Sequence, residues 1–226
     1  MLPRVLEPEV MDTAQEADDY DAMDNREPNA RFAADCLHFA TFARALDVGT
    51  GTALIPIAMC EQAPALRFVA VDLAEHMLAR ARRNVERAGL AARIELQLVD
   101  AKRLPFDDGA FDAVVSNSIV HHVPQPAHAL AEMWRVARRV LFVRDLFRPD
   151  SDAEVRRLVA LHGGAPDDPS PEARARHARQ AALLDASLRA ALTIDEARAI
   201  ALSIGIPPSA VTPTSDRHFT LAYEKK

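Results

Sequence analysis

The sequence predicts an α/β fold built on a mostly parallel sheet, and three observations carry that expectation. Five short apolar runs, "RALDVG", "LRFVAVDL", "RIELQLVDA", "GAFDAVVSN" and "RVLFVRDLF", are separated by segments of helix length. Strands alternating with helices in this way close right-handed crossovers into a parallel sheet. The 226 residues, 49% hydrophobic and 27% charged, suit one soluble domain with embellishments and a real core. Three acids, Asp47, Asp72 and Asp100, stand at the carboxyl ends of three consecutive strands, where an open α/β sheet holds its ligand.

The elements follow in order. Residues 1–28 are acidic and polar, with Asp12, Glu16, Asp18, Asp19, Asp21 and Asp24 crowded into a helix-capable stretch. This segment reads either as a solvated arm or as a lid, with Met11, Tyr20 and Met23 packed down and the acids facing a cavity. Apolar residues at helical spacing from Asn29 to Ala43 give an amphipathic helix. The first strand feeds "TALIPIAMCEQA", a helix whose Pro56 lies near its first turn, where a missing N–H costs least. "AEHMLARARRNVERAGL" is a long helix closed by Gly89, and "PAHALAEMWRVA" is a helix that turns Trp134 to the core.

After Pro149 the pattern changes to helices alone, over 151–205. Ser151 with Glu154 and Thr193 with Glu196 have the spacing of capping boxes, and "GGAPDDPSP" (163–171) breaks the stretch as a loop. The tail "SAVTPTSDRHFTLAYEKK" reads as two short strands around a turn at "TSD". The organisation is therefore an N-terminal arm and helix over 1–44, the lid. A main domain follows over 45–226, with a helical insertion at about 151–205.

Charge and cysteines exclude several classes. A net charge of −6 argues against a broad grip on nucleic acid, which depends on neutralising phosphates. Arginines in "RARHARQ" (174–180) fit a solvated helix face. Cys36 and Cys60 make neither a disulfide framework nor a zinc spacing. The opening "MLPRVLEPEV" lacks the apolar core of a signal peptide, and no apolar run reaches the roughly 18–20 residues of a membrane span. The expectation is a cytoplasmic protein without a membrane partner; its oligomeric state is open.

The chemistry concentrates in "LDVGTGTALIPIA". Gly49 and Gly51 at a strand-to-helix turn let backbone approach a ligand, and the helix that follows offers free N–H groups. A phosphate or the polar tail of an amino acid would fit equally. The dinucleotide pattern G-x-G-x-x-G/A fails, because its sixth position is Leu54. Asp47 would repel a pyrophosphate but suits an ammonium group. Asp72 is placed to accept two ribose hydroxyls, and Asp100 an exocyclic adenine amine.

These motifs resemble those of the class I S-adenosylmethionine-dependent methyltransferases. "LDVGTGTALIPIA" is similar to their first motif, with Ala53 in place of a frequent third glycine. "VAVDLAEHMLARAR" resembles the acidic loop, and "VDAKRLPFDDGAFDAVVSNSIVHHV" the adenine-contacting loop and fourth strand. The resemblance spans about 45–147 and implies a Rossmann-like three-layer α/β/α sandwich. Its sheet would be seven-stranded and mostly parallel, with an antiparallel C-terminal hairpin strand. It implies S-adenosyl-L-methionine as cofactor, with Gly49 and Gly51 against the methionine moiety and Asp100 and Ala101 at adenine. The same motifs add Thr52, Leu73 and Asn117 to the cofactor set. One departure is the absence of a Pro-Gly-Gly turn before the fifth strand, where "RVARRVLFV" runs straight through.

The acceptor end is less defined. "SNSIVHH" (116–122) would face the reacting methyl, and it lacks the N/D-P-P-Y/F motif of amide and adenine-amine methylation. His121 is the first candidate base, with His122 behind it, since an imidazole titrates near neutrality. Arg144 and Asp145 share the rim, either as a salt-bridged pair or as substrate-binding groups, and Tyr20 would close the pocket. Asp216, Arg217 and His218 are further candidate contacts. No metal site is expected: His121, His122 and His128 are too closely grouped, and acids for Mg²⁺ are missing from the fourth strand. Segments 1–28 and 151–200 would enclose a pocket, which favours a small acceptor over RNA or protein, or over a non-catalytic binding module. The general likeness is to ubiquinone/menaquinone-biosynthesis methyltransferases, through "LPFDDGAFDAVVSNSIVHHV".

Overall fold

A computed structural model of the chain describes residues 2–7, 12–22, 26–164 and 170–225. Its sheet comprises β1 (Arg44–Val48), β2 (Arg67–Asp72), β3 (Ile94–Leu98), β4 (Phe111–Asn117), β5 (Ala137–Leu146), β6 (Val211–Pro213) and β7 (His218–Glu224). The strand order is β3-β2-β1-β4-β5-β7-β6. The first five strands pair in parallel, whereas β7 is antiparallel to both β5 and β6. This is the expected seven-stranded Rossmann-like sheet with a C-terminal hairpin. The chain reverses between β1 and β4, so the carboxyl ends of β1, β2 and β4 border one crevice.

Both faces of the sheet are covered, which explains why its strands read as near-continuous apolar runs. Leu46, Val71, Val114 and Leu141 point to one face, where α5 (Pro126–Val136) and α8 (Ile194–Ser203) pack. Ala45, Phe68, Val115 and Phe142 point to the other, against α2 (Arg26–Phe39), α3 (Leu54–Gln62) and α4 (Glu75–Arg87). Gly89 has φ +68° just past the end of α4, the left-handed stop expected of it. Helix α5 runs directly into β5, matching the missing Pro-Gly-Gly turn.

Three helices fill the late all-helical stretch: α6 (Asp152–His162), α7 (Pro171–Ala190) and α8. Leu158 and Leu188 bury against Leu146 beyond the end of the sheet, while α8 covers the sheet itself. Thr193 and Glu196 form a reciprocal capping box, but Ser151 only accepts the Glu154 N–H. Of the loop at 163–171, residues 165–169 lie outside the described part.

The acidic segment departs from the expected arm. Thr13 and Glu16 form a capping box that starts α1 (Ala14–Asp21). Its acids do not face a cavity. Asp12 accepts from the His76 N–H at 3.0 Å, Asp18 pairs with Arg80, and Asp21 accepts from Asn84 Nδ2 at 2.7 Å, all on α4. Asp19 pairs with Arg179 of α7. The charges thus fasten α1 to the body, because carboxylates near a basic helix face gain partners they would lack over an apolar cleft. Met11, Met23 and Asp24 lie outside the described residues. Residues 2–7 are also strapped down: Arg148 Nε donates to Leu2 O, the Val5 N–H to Arg189 O, and Arg4 to the carbonyls of Ala190, His121 and Val123.

Candidate functional site

The crevice opens into a cleft of about 800 Å³, a figure that includes the open space at its mouth. Gly49, Gly51, Asp72, Leu73, Asp100, Ala101 and Asn117 line it, with Tyr20 of α1 across from the glycines. Gly49 (φ +73°) and Gly51 (φ +54°) need left-handed backbone, which glycine supplies without strain. A Cβ on Gly49 would also fall 2.4 Å from Ile119 Cδ1, so the close approach there is made by the protein's own Ile119. At Gly51 the nearest atom would be Tyr20 Cε1 at 3.6 Å, an ordinary contact, and only φ demands glycine. Ala53, at the third glycine position of the resemblance, keeps φ +63° despite its Cβ.

Asp72 locks the turn. Its Oδ2 accepts the Gly51 N–H at 2.7 Å and its Oδ1 the Ala74 N–H at 2.9 Å. Burial raises its pKa, although both bonds oppose this. A carboxylate has about four acceptor positions, so capacity remains for hydroxyls. At Asp100 burial is overcome by hydrogen bonds from Lys102, whose N–H lies at 2.8 Å and whose Nζ lies at 3.1 Å, and the pKa falls.

A small second chamber joins the cleft through Tyr20, Gly49 and Asn117 and is lined by Asn29, Asp47, Thr50 and Thr52. Asp47 is 1% exposed, and burial pushes its pKa up to about 7. Asp47 Oδ2 and the hydroxyls of Thr50 and Thr52 are buried without hydrogen-bond partners. Buried polar groups are seldom left so. One acceptor-only carboxylate beside two hydroxyls matches a ligand bearing an ammonium group and a hydrogen-bonding tail.

At the other end, His122 and Val123 border the cleft. His121 lies behind, 3% exposed, with its Nδ1 2.5 Å from Asp145 Oδ1. Asp145 also accepts the N–H groups of Val120 (2.5 Å) and Leu146 (2.6 Å). Burial disfavours charge on His121, but Asp145 outweighs it and the pKa rises; Asp145 in turn is held low by His121 despite its burial. His122, its ring 4.2 Å from that of His121, is driven down to about 3 by burial and then by its neighbour. Glu7 reaches this pair from the N-terminal segment, its Oε1 3.2 Å from His122 Nδ1 and 3.8 Å from His121 Nε2.

A family model described as a methyltransferase domain matches residues 46–140, which include all three acid-tipped strands and the histidine pair. Phosphatidylethanolamine N-methyltransferase of Cereibacter sphaeroides is 40% identical over 97 residues, 42% of this chain and 46% of that protein. The ubiquinone/menaquinone biosynthesis C-methyltransferase UbiE of Geotalea uraniireducens is 34% identical over 109 residues, 48% of this chain and 46% of its own length. A crystal structure of a SAM-dependent methyltransferase from Aquifex aeolicus shares the fold, with TM-score 0.66 at 18% identity over 94% of this chain and 98% of that one. Over residues 46–140 the chain is similar to class I S-adenosylmethionine-dependent methyltransferases, and its fold is theirs. It spans just under half the length of the two curated relatives.

S-adenosylmethionine is the cofactor of the methyltransferases this chain resembles, and its residues fit that cofactor. The orphaned Asp47, Thr50 and Thr52 suit its amino-acid tail, Asp72 its ribose, and Asp100 with Ala101 its adenine end. Of the residues singled out in the sequence, Gly49, Gly51, Asp72, Leu73, Asp100, Ala101 and Asn117 meet at the cleft, with Asp47 and Thr52 in the adjoining chamber.

The acceptor end differs from expectation. His122, not His121, borders the cleft. Arg144 and Asp145 do not share a rim, because successive side chains of a strand point to opposite faces. Arg144 turns to α2, where it binds Asp35 at 2.8 Å and Thr220 Oγ1 at 3.0 Å beside the Phe32 ring, away from the cleft. Asp145 is spent on the His121 ring and three backbone N–H groups, leaving it to position rather than to bind substrate. Asp216 is committed to His162 of α6 at 2.9 Å, and His218 to Ser215 at 2.9 Å, and neither residue nor Arg217 lines the cleft. Glu7 was not anticipated, since nothing in "RVLEPE" marks one acid as buried. Among the described residues no helix is long and apolar enough to cross a membrane.

Proposed function

We propose that this chain transfers a methyl group from S-adenosylmethionine to a small acceptor with an apolar body. The observation that carries the reading is the chamber of unpartnered Asp47, Thr50 and Thr52 beside a cleft whose far wall ends on His122. When bound, the cofactor supplies an electrophilic methyl on a sulfonium. Asp47 holds the ammonium and Asp72 the ribose, which fixes the direction in which the methyl is presented. Tyr20, fastened through α1 to α4, covers the glycine turn and keeps water from it. Its phenol, pushed up to about 12 by burial and the nearby acids, stays protonated and can donate a hydrogen bond.

The acceptor lies against Ile119 and Val123, with His122 as its polar partner. A proton affinity near pH 3 keeps His122 neutral at pH 7 and able to hydrogen-bond a nucleophilic atom. His121 and Asp145 hold that ring in place from behind. The relatives' names, a phosphatidylethanolamine N-methyltransferase and a ubiquinone/menaquinone biosynthesis C-methyltransferase, both point to molecules with large apolar bodies. Two free buried cysteines accord with a reducing, cytoplasmic setting. Titration calorimetry with S-adenosylhomocysteine, with NAD as control, tests the cofactor half; turnover of labelled cofactor on demethylated quinols and on amino-headgroup lipids tests the other. Binding of the homocysteine product with no response to NAD is expected. Tighter binding of NAD would remove the reading.

A further inference from the structure

We propose that Glu7, His121 and His122 form a binding site for one divalent transition-metal ion at the acceptor end of the cleft. The donor atoms Glu7 Oε1, His121 Nε2 and His122 Nδ1 lie within 4.8 Å of one another. Tetrahedral zinc, with ligand bonds of about 2.0–2.2 Å, needs donors roughly 3.4 Å apart. The observed 3.2 Å from Glu7 Oε1 to His122 Nδ1 and 3.8 Å to His121 Nε2 bracket that spacing. Two imidazoles and one carboxylate are a donor set that divalent zinc and iron both accept.

Two further observations point the same way. Glu7 Oε1 and His122 Nδ1 are buried and lack any hydrogen-bond partner, although they lie 3.2 Å apart. A shared cation satisfies both at once, whereas the proton between His121 and Asp145 satisfies neither. The second observation is the support of His121. Asp145, fixed by the Val120 and Leu146 N–H groups, takes the Nδ1 side of the ring and leaves Nε2 to face Glu7. A carboxylate behind a histidine, orienting it and raising its basicity, is the usual support of a metal-bound imidazole. Glu7 itself is held by a strapped segment: Arg4 donates to the carbonyls of His121 and Val123, so the carboxylate and the histidines are tied to one another. The Arg4 guanidinium opposes a nearby cation, but the carboxylates of Glu7 and Asp145 outnumber it.

Three protein donors leave a fourth position for a water or a ligand atom, beside the cleft wall at His122. Binding of the ion stands apart from the methyl-transfer reading. Only its use, holding an oxygen of the acceptor, rests on that reading.

The test is a titration of the full-length, chelator-stripped protein with Zn²⁺ against a chromogenic competitor, and with Co²⁺ by visible absorption. One equivalent of Zn²⁺ is expected, with the intense absorption of tetrahedral Co²⁺. Glu7→Gln should weaken binding at least about tenfold and His122→Ala should abolish the one-to-one site, both in protein that still unfolds cooperatively. Asp145→Asn should weaken it about 10–100-fold. Glu7→Gln lies on a peripheral segment, so it serves where Asp145→Asn fails to fold. His38→Ala and His128→Ala should leave affinity unchanged. Absence of a one-equivalent site, or binding that survives both Glu7→Gln and His122→Ala, overturns the proposal. Calorimetry with S-adenosylhomocysteine on the same samples reports the cofactor reading separately, so the two fail independently.

Discussion

The two ends of the cleft are supported in different ways. At the cofactor end, Asp72 is held by the Gly51 and Ala74 N–H groups, from the glycine turn and its own loop, and Asp100 by Lys102 two residues away. At the acceptor end, Glu7, His121 and Asp145 come from an N-terminal strap, a loop and the tip of β5, and each needs the others. The cofactor end therefore rests on local turns repeated at strand ends, where one substitution mainly changes binding. The acceptor end rests on buried charges that satisfy one another, where one substitution should change the fold's stability.

That contrast can be broken most sharply at Asp145. Asp145→Asn removes one partner of a buried charge pair and is expected to cost about 3–5 kcal/mol, read by urea denaturation. A loss under 1 kcal/mol would mean the histidine pair does not depend on it. Asp47 is the cofactor end's exception, a buried acid with no protein partner on Oδ2. Its pKa is about 7 folded against 3.8 as the ordinary value. The folded state thus holds a proton that the unfolded state has released between those values. Stability from this group should fall as pH rises from about 4 to 7, by up to about 4 kcal/mol at 1.36 kcal/mol per unit. Asp47→Asn should flatten that slope, gaining stability at pH 8 while losing affinity for the homocysteine product. A parallel slope in both proteins would reject the assignment.

Asp72→Ala comes next, with product binding weaker by about 1–3 kcal/mol in calorimetry as ribose hydroxyls lose a charged partner. His122→Ala should leave that affinity within about twofold, which separates the two ends. For Gly49→Ala we expect about 1–2 kcal/mol of destabilisation from left-handed backbone, with a further loss from Ile119. Adding Ile119→Ala should restore only the clash component, and full restoration would show that φ is immaterial. The smallest effect belongs to Ala53→Gly, which frees a left-handed residue of its Cβ against the flexibility that glycine adds. A gain below about 1 kcal/mol in thermal unfolding is expected.

Legibility followed the same divide. Continuous apolar runs in β1, β2, β4 and β5, buried on both faces, made the sheet readable, and the strand-end acids with the glycine turn made the cofactor end readable, because these patterns are fixed by neighbours in sequence. The acid-rich segment was misread because Asp12, Asp18 and Asp21 are satisfied by α4, a helix whose basic face meets them only after folding. Arg144 and Asp145 were read as one rim because adjacency in sequence conceals that a strand sends them to opposite sides.

The sequence by itself determined the alternation of strands and helices, the strand-to-helix turn at Gly49 and Gly51, and the acids that close three strands, since each follows from local propensity and periodicity. Tertiary structure alone decided that His122 faces the cleft, that Asp145 serves His121, and that Glu7 joins His121 across 113 intervening positions. Such a cluster has no sequence period. It exists because burial makes each of these groups costly unless the fold supplies the others.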